Sequence, residues 1–185
     1  MSERTESDEI ATTSTALVYE NPWMQVREDR IVRSNGQQGL YGYVDKPDFA
    51  LIVPMENDGF HLVEQFRYPI GRRSLEFPQG TYPNRQAGDV LALAKLELKQ
   101  ETGLQAAELT HVGRLYGAPG MANQAFHVYL ATGLTHGERA LEPEEVGMTQ
   151  LWLAKAELEE RIRQGQIVDA PSIAAYHLCQ MHLAV

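Results

Sequence analysis

Between residues 87 and 102 the apolar positions Val90, Leu91, Leu93, Ala94, Leu96 and Leu98 recur at helical spacing, and Gly103 supplies a stop. What surrounds this helix limits the folds open to the chain. Residues 16–19, 23–32 and 40–44 mix β-branched and aromatic residues with polar ones, separated by Asn21-Pro22, Ser34-Asn35-Gly36 and Lys46-Pro47-Asp48. Residues 49–55 and 60–66 flank Glu56-Asn57-Asp58-Gly59, which reads as a hairpin loop. Strand-like segments return at 109–115, 125–131 and 148–153, and two helices close the chain. The first covers 155–164 and ends at Gly165; the second begins near Asp169 or Pro171, where proline suits a first helical turn. Strands, one helix, strands and two helices describe an α+β chain with a mixed sheet, not a repeated βαβ unit. The expected organisation is a loose polar tail over 1–14, antiparallel strands over 15–47 and a main domain over 48–185.

Charge and cysteine content remove several functions. With 16 Lys and Arg against 25 Asp and Glu, the net charge is -9, and the longest basic block is the pair Arg72-Arg73. A nucleic-acid partner, which requires clustered cations, is not expected. An acidic chain that binds polyphosphate needs metal ions to mask the repulsion. The single cysteine, Cys179, excludes a disulfide framework and a zinc–thiolate site. The acidic opening MSERTESDEIATTST does not read as a signal peptide, and the longest apolar run, 49–55, is too short to span a bilayer. No membrane partner and a cytoplasmic location are the resulting expectations.

Glu97 and Glu101 lie four residues apart, hence on one helix face. Like charges so placed repel by a few tenths of a kcal/mol. A hard divalent cation such as Mg²⁺ or Mn²⁺ would turn that cost into a gain. The plainer interpretation is a solvated face beside Lys95 and Lys99. Context favours the cation. Gly80 heads a long loop into the helix, and Glu101-Thr102-Gly103-Leu104 closes it. This resembles the motif of the Nudix hydrolases, G-x5-E-x7-R-E-U-x-E-E-x-G-U with U aliphatic, matched at Gly80, Glu97, Leu98, Glu101, Gly103 and Leu104. The departures are a loop two residues longer, Gly88 (beside Asp89) where the family has Glu, Leu96 for Arg, and Gln100 for the first closing Glu. The resemblance implies a metal site of Glu97, Glu101, the Gly80 carbonyl and Gln100, weakened where an amide replaces a carboxylate.

Val63-Glu64-Gln65-Phe66-Arg67-Tyr68 followed by Leu75-Glu76-Phe77-Pro78-Gln79-Gly80 is similar to the ADP-ribose pyrophosphatases of this family. That likeness implies that Arg67 binds substrate phosphate with Glu76 nearby. A proline about fifteen residues past the motif marks the same branch, and Pro119-Gly120 stands there, with Gln124 where many relatives carry Glu. Glu142-Pro143-Glu144-Glu145-Val146 is similar to the loop that supplies the catalytic base, with Glu144 as first choice and Glu145 as second. The implied fold is a Nudix-type α/β/α sandwich with a mixed central sheet. An extra N-terminal antiparallel sheet would join two subunits and offer Trp23, Tyr41 or Tyr43 to adenine. The implied reaction is hydrolysis of a nucleoside diphosphate linked to another moiety, with ADP-ribose giving AMP and ribose 5-phosphate. Alternatives are a nucleotide-sugar pyrophosphatase, or an impaired site kept for ligand binding and regulation. The six histidines show no metal-ligand spacing among themselves.

Overall fold

The computed structural model describes residues 9–184. Strands β1 (Ile10–Glu20), β2 (Gln25–Arg33) and β3 (Gln38–Asp45) form a three-stranded antiparallel sheet in that order. Strand β1 starts inside the stretch expected to be a loose tail. Thr12, Thr13 and Thr15 are β-branched, and β2 supplies partners from Ile10↔Arg33 onward, so pairing outweighs local polarity. Leu17, Tyr19, Leu40 and Tyr41 leave this sheet with exposed apolar surface.

The main sheet contains β4 (Phe49–Glu56), β5 (Gly59–Arg67), β6 (Arg72–Glu76), β7 (Gln79–Gly80), β8 (Leu104–Tyr116), β9 (Ala125–His136) and β10 (Thr149–Ala154). Its order is β10-β5-β4-β9-β8; β4 runs parallel to β9, and the other pairs are antiparallel. Asn57 and Asp58, both at positive φ, turn β4 into β5 as the sequence suggests. The two strands then pair only at the tip, Met55↔Phe60 and Glu56↔Gly59. Beyond it they diverge. Strand β6 takes the edge of β5 at Val63↔Glu76, while β7 takes the edge of β4 at Ala50↔Gly80. The segment Glu76-Phe77-Pro78-Gln79-Gly80 is thereby wedged into the middle of the sheet, with Ile52 N–H donating to the Pro78 carbonyl.

Helix α1 (Val90–Thr102) packs Leu93, Ala94 and Leu98 against Ala50, Ile52 and Tyr129. On the other face, α2 (Lys155–Arg163) and α3 (Ala170–Leu183) bring Leu158, Ala175, Tyr176 and Cys179 onto Leu51, Val53, Leu62 and Val128. Alternate residues of β4 thus serve opposite layers, and for this reason 49–55 reads as a continuous apolar run. Each of these Leu or Ile side chains contributes about 2 kcal/mol by burial. Among the described residues no helix is long and apolar enough to cross a membrane.

Candidate active site

Helix α1 is fixed at both ends. The Asp89 carboxylate accepts the Leu91 N–H at the start, and Gly103, in the left-handed region at φ 72°, lets the chain turn at the end. The buried face then carries Glu97 and Glu101 inward, at 7% and 2% exposure. Glu145 arrives from a short 3-10 turn, Pro143–Glu145, between β9 and β10. Ligand oxygens of the three carboxylates lie within 4.8 Å of one another. The side chain of Glu144, the other candidate base, lies outside the described residues. Gly80 is packed so tightly on Glu97 that a Cβ there would come within 2.5 Å of both carboxylate oxygens. With glycine at 80 the backbone of β7 lies directly on the Glu97 carboxylate, which a Cβ would push aside, and the neighbouring Gln79 N–H donates to Glu101 Oε2 at 3.1 Å.

Burial dominates the electrostatics. It pushes the Glu97 carboxyl up to about 8, with Glu145 and Glu142 adding repulsion. Burial also raises Glu101 well above the usual carboxylate range; the charges of Glu97 and Glu145 add to this, and the Gln79 N–H and Arg67 oppose it. Lys95 and Lys99 are exposed, and among the described residues neither pairs with these glutamates, so a solvated charged face is excluded. Three oxygen donors crowded in a poorly solvated place are costly as anions and well suited to a hard divalent cation. The residues present therefore fit Mg²⁺ or Mn²⁺.

The motif departures have local causes. A Cβ at Gly88 would meet the Tyr82 ring at 2.4 Å, so a glutamate there would have to displace that ring. Asp89 does not replace it, because its carboxylate caps α1. Leu96 is 41% exposed on the outer side of the helix. Gln100 is half-buried, and its backbone carbonyl accepts the Ala140 N–H, linking α1 to the segment that leads to Glu145.

Next to the carboxylates opens a cleft of about 310 Å³, lined by Arg67, Pro69, Ser74, Glu76, Gln79 and Asp169 among others. Arg67 Nε lies 2.9 and 3.0 Å from the two oxygens of buried Glu76, and Nη2 lies 2.5 Å from Oε2. This leaves Nη1 outside the pair. Gln79 donates from its amide to Glu76 at 3.1 Å and to Asp169 at 3.2 Å. Asp169 in turn caps α3 through the Ser172 N–H. Sequence reasoning named Arg67 and Glu76 but missed Asp169 and Gln79 as site residues; the helix-cap position of Asp169 was visible, but its contact with Gln79 spans 90 residues. Lys46 is outside the residues lining this cleft; burial holds its ammonium below the usual range, and Arg67 adds repulsion.

Other expected substrate contacts lie elsewhere. Gln124 donates to the Pro47 carbonyl, and the Gly120 carbonyl accepts from the Tyr41 hydroxyl. Pro119 sits in the same exposed turn, which docks on β3 through Val44 N–H to Met121 and Asn123 N–H to Val44. Trp23, 63% exposed in the turn between β1 and β2, does not line the cleft within one chain.

A mixed sheet between helices, with a glycine-led loop and a glutamate-bearing helix beside an anion cleft, defines a Nudix-type fold. Residues 10–44, the three-stranded sheet, match the family model of a nucleoside diphosphate sugar hydrolase N-terminal domain. An ADP-ribose pyrophosphatase of Mycobacterium tuberculosis is 32% identical over 168 residues, covering 90% of this chain and 81% of that protein. A methanol dehydrogenase activator of Bacillus methanolicus is 26% identical over 96% of both chains. A crystal structure of an ADP compounds hydrolase superposes with a TM-score of 0.83 at 21% identity, covering 98% of this chain and 97% of that one. The chain belongs to the Nudix hydrolase family, in its ADP-ribose pyrophosphatase-like branch.

Proposed function

We propose that the protein hydrolyses the diphosphate of ADP-ribose, giving AMP and ribose 5-phosphate. The observation that carries this reading is the Glu97–Glu101–Glu145 cluster, its first two carboxylates buried, beside the Arg67 cleft. Glu97, Glu101 and the Gly80 carbonyl, with Gln100 as a weaker neighbour, would hold Mg²⁺ or Mn²⁺. When bound, such an ion supplies positive charge against the diphosphate and acidifies water. Arg67 holds phosphate oxygens through the edge not taken by Glu76. Glu76 and Gln79 keep the guanidinium in place, a positioning role. Glu145 takes the proton of the attacking water, whose oxygen bonds to phosphorus as the bridging P–O bond breaks. Glu144 remains the alternative base.

Nucleotide sugars are the second reading, supported by the family model matching the N-terminal sheet. Retention of two buried carboxylates with the half-buried Glu145 beside them favours hydrolysis over a purely regulatory role. Chromatography of products from ADP-ribose and from a UDP-sugar, with Mg²⁺, separates the readings. AMP and ribose 5-phosphate formed at the higher kcat/KM support the first, preferential UMP release supports the second, and no turnover of either with wild-type metal binding would contradict both. The exposed apolar surface of β1 and β3 also supports a homodimer through this sheet, with Trp23 near the partner's substrate. Light scattering should give twice the 20.8 kDa chain mass, and a monomer with normal activity would refute it.

A further inference from the structure

A second cluster stands apart from the acidic one: Glu56 at the end of β4, His61 in β5 and His136 at the end of β9. Nothing in their sequence spacing signals it, since 80 residues separate Glu56 from His136. We propose that these three side chains bind a divalent transition-metal ion of the zinc class.

The geometry is close to that of a loaded site. His61 Nε2 lies 3.1 Å from Glu56 Oε2, and His136 Nε2 lies 3.2 and 3.1 Å from Oε1 and Oε2. The potential ligand atoms of all three residues fall within 4.8 Å of one another. Metal bonds near 2.0–2.1 Å in a tetrahedron place ligand atoms about 3.3 Å apart, so an ion can enter with small movements. The imidazoles meet edge to face at 5.6 Å between centroids, both presenting Nε2 to the carboxylate. His61 is held from behind: its side chain is 6% exposed, and Gln150 Nε2 stands 3.5 Å from Nδ1. With Nε2 on a metal, Nδ1 carries the proton, and a turn of the Gln150 amide by half a revolution would offer its oxygen as the acceptor that orients a ligating imidazole. Trp152 Nε1 donates to the Glu56 carbonyl at 3.0 Å, which steadies the third ligand. The His136 side chain is 60% exposed and gives access from solvent.

Two imidazoles and one carboxylate select zinc-like ions, whereas the all-oxygen cluster of Glu97, Glu101 and Glu145 suits Mg²⁺. The site's place in the fold gives the ion a structural role. His136 ends β9 and Gln150 lies at the start of β10, so the site and its neighbour bracket residues 137–148, the segment that carries Glu145. Binding displaces the protons that the imidazoles share with Glu56 in the metal-free form.

The test uses the metal-free full-length protein carrying Glu97→Gln and Glu101→Gln, so that the carboxylate cluster does not compete. Co²⁺ is titrated by absorbance and Zn²⁺ by calorimetry. The expected result is one equivalent of Co²⁺ with intense tetrahedral d–d bands, displaced by Zn²⁺ but not by Mg²⁺. Adding His136→Ala, at an exposed position outside the core, should weaken both ions about 100-fold or more while thermal unfolding stays cooperative. Glu56→Gln provides an independent weakening. Absence of stoichiometric binding in the double variant, or binding that neither His136→Ala nor Glu56→Gln alters, overturns the proposal.

Discussion

Two clusters of charged side chains sit in one sheet sandwich, and their glutamates titrate in opposite directions. Glu97 and Glu101 are sealed under β7, so burial and mutual repulsion hold their carboxyls up, Glu97 to about 8. Glu56 lies at a strand end, where hydrogen bonds from His61 and then His136 lower its carboxyl. The same residue type thus needs a cation in one place and has ready-made proton donors in the other. A family motif marks the first cluster. The second is a product of topology alone, since β4 and β9 run parallel and finish side by side.

The comparison breaks most decisively at Glu101. Glu101→Gln should lower kcat on the order of 10³-fold, with the fold intact because the substitution removes a strained charge. Wild-type turnover at saturating Mg²⁺ would remove the metal assignment. Glu145→Gln should cost about 10²-fold or more, and its Mg²⁺ dependence distinguishes two roles. A proton acceptor leaves a deficit at every Mg²⁺ concentration, whereas rate recovery in excess Mg²⁺ would make Glu145 a ligand instead.

Stability against pH provides the next test. For Glu97 the folded-state carboxyl, about 8, lies above the ordinary value of 4.5. Its contribution is fully present below about 4.5 and is lost as pH rises toward 8, on the order of a few kcal/mol. Metal-free protein should therefore melt at lower temperature at pH 8 than at pH 5. Mg²⁺ should offset the loss most at the alkaline end, and Glu97→Gln/Glu101→Gln should flatten the curve. For Glu56 the sign is reversed: a lowered carboxyl stabilises above its ordinary value and loses that contribution as pH falls. A metal-free melting temperature that rises from pH 5 to pH 8 would contradict the assignment to the buried pair.

At the cleft, Arg67→Lys should raise KM about 10-fold with a smaller change in kcat, because an ammonium cannot bond Glu76 with two nitrogens and still present a third. An unchanged KM would move the phosphate away from Arg67. The smallest effect is expected at Gln100→Glu, which should lower the Mg²⁺ concentration needed for half-maximal rate by a few-fold. An unchanged or higher requirement would show that position 100 does not face the ion.

The sequence showed what local spacing determines. The i, i+4 pair, the stop at Gly103 and the Asn57-Asp58 turn depend on neighbours within a helical turn or a hairpin, and the structure places each as read. The sandwich was expected from the family resemblance, and the structure gives the apolar run of β4 its reason, since alternate residues face the two layers. Asp169 and Gln79 escaped because their contact joins residues 90 apart, a helix cap and a sheet strand, and composition carries no trace of it. Gln124 donates to the Pro47 carbonyl, and the Gly120 carbonyl accepts from Tyr41, so both also fasten the turn before β9 to the N-terminal part of the fold. His61 and His136 looked unrelated for the same reason: parallel pairing of β4 with β9 cannot be read from periodicity.

The central claim is that the carboxylates of Glu97 and Glu101 hold a divalent ion beside the Arg67 cleft, with Glu145 next to it as the base. Anomalous diffraction from crystals soaked in Mn²⁺ with ADP-ribose tests it directly. The account predicts a manganese peak in contact with Glu97 and Glu101, close to the Gly80 carbonyl, with the diphosphate against Arg67. Manganese bound only elsewhere, or a diphosphate seated away from α1, would contradict it.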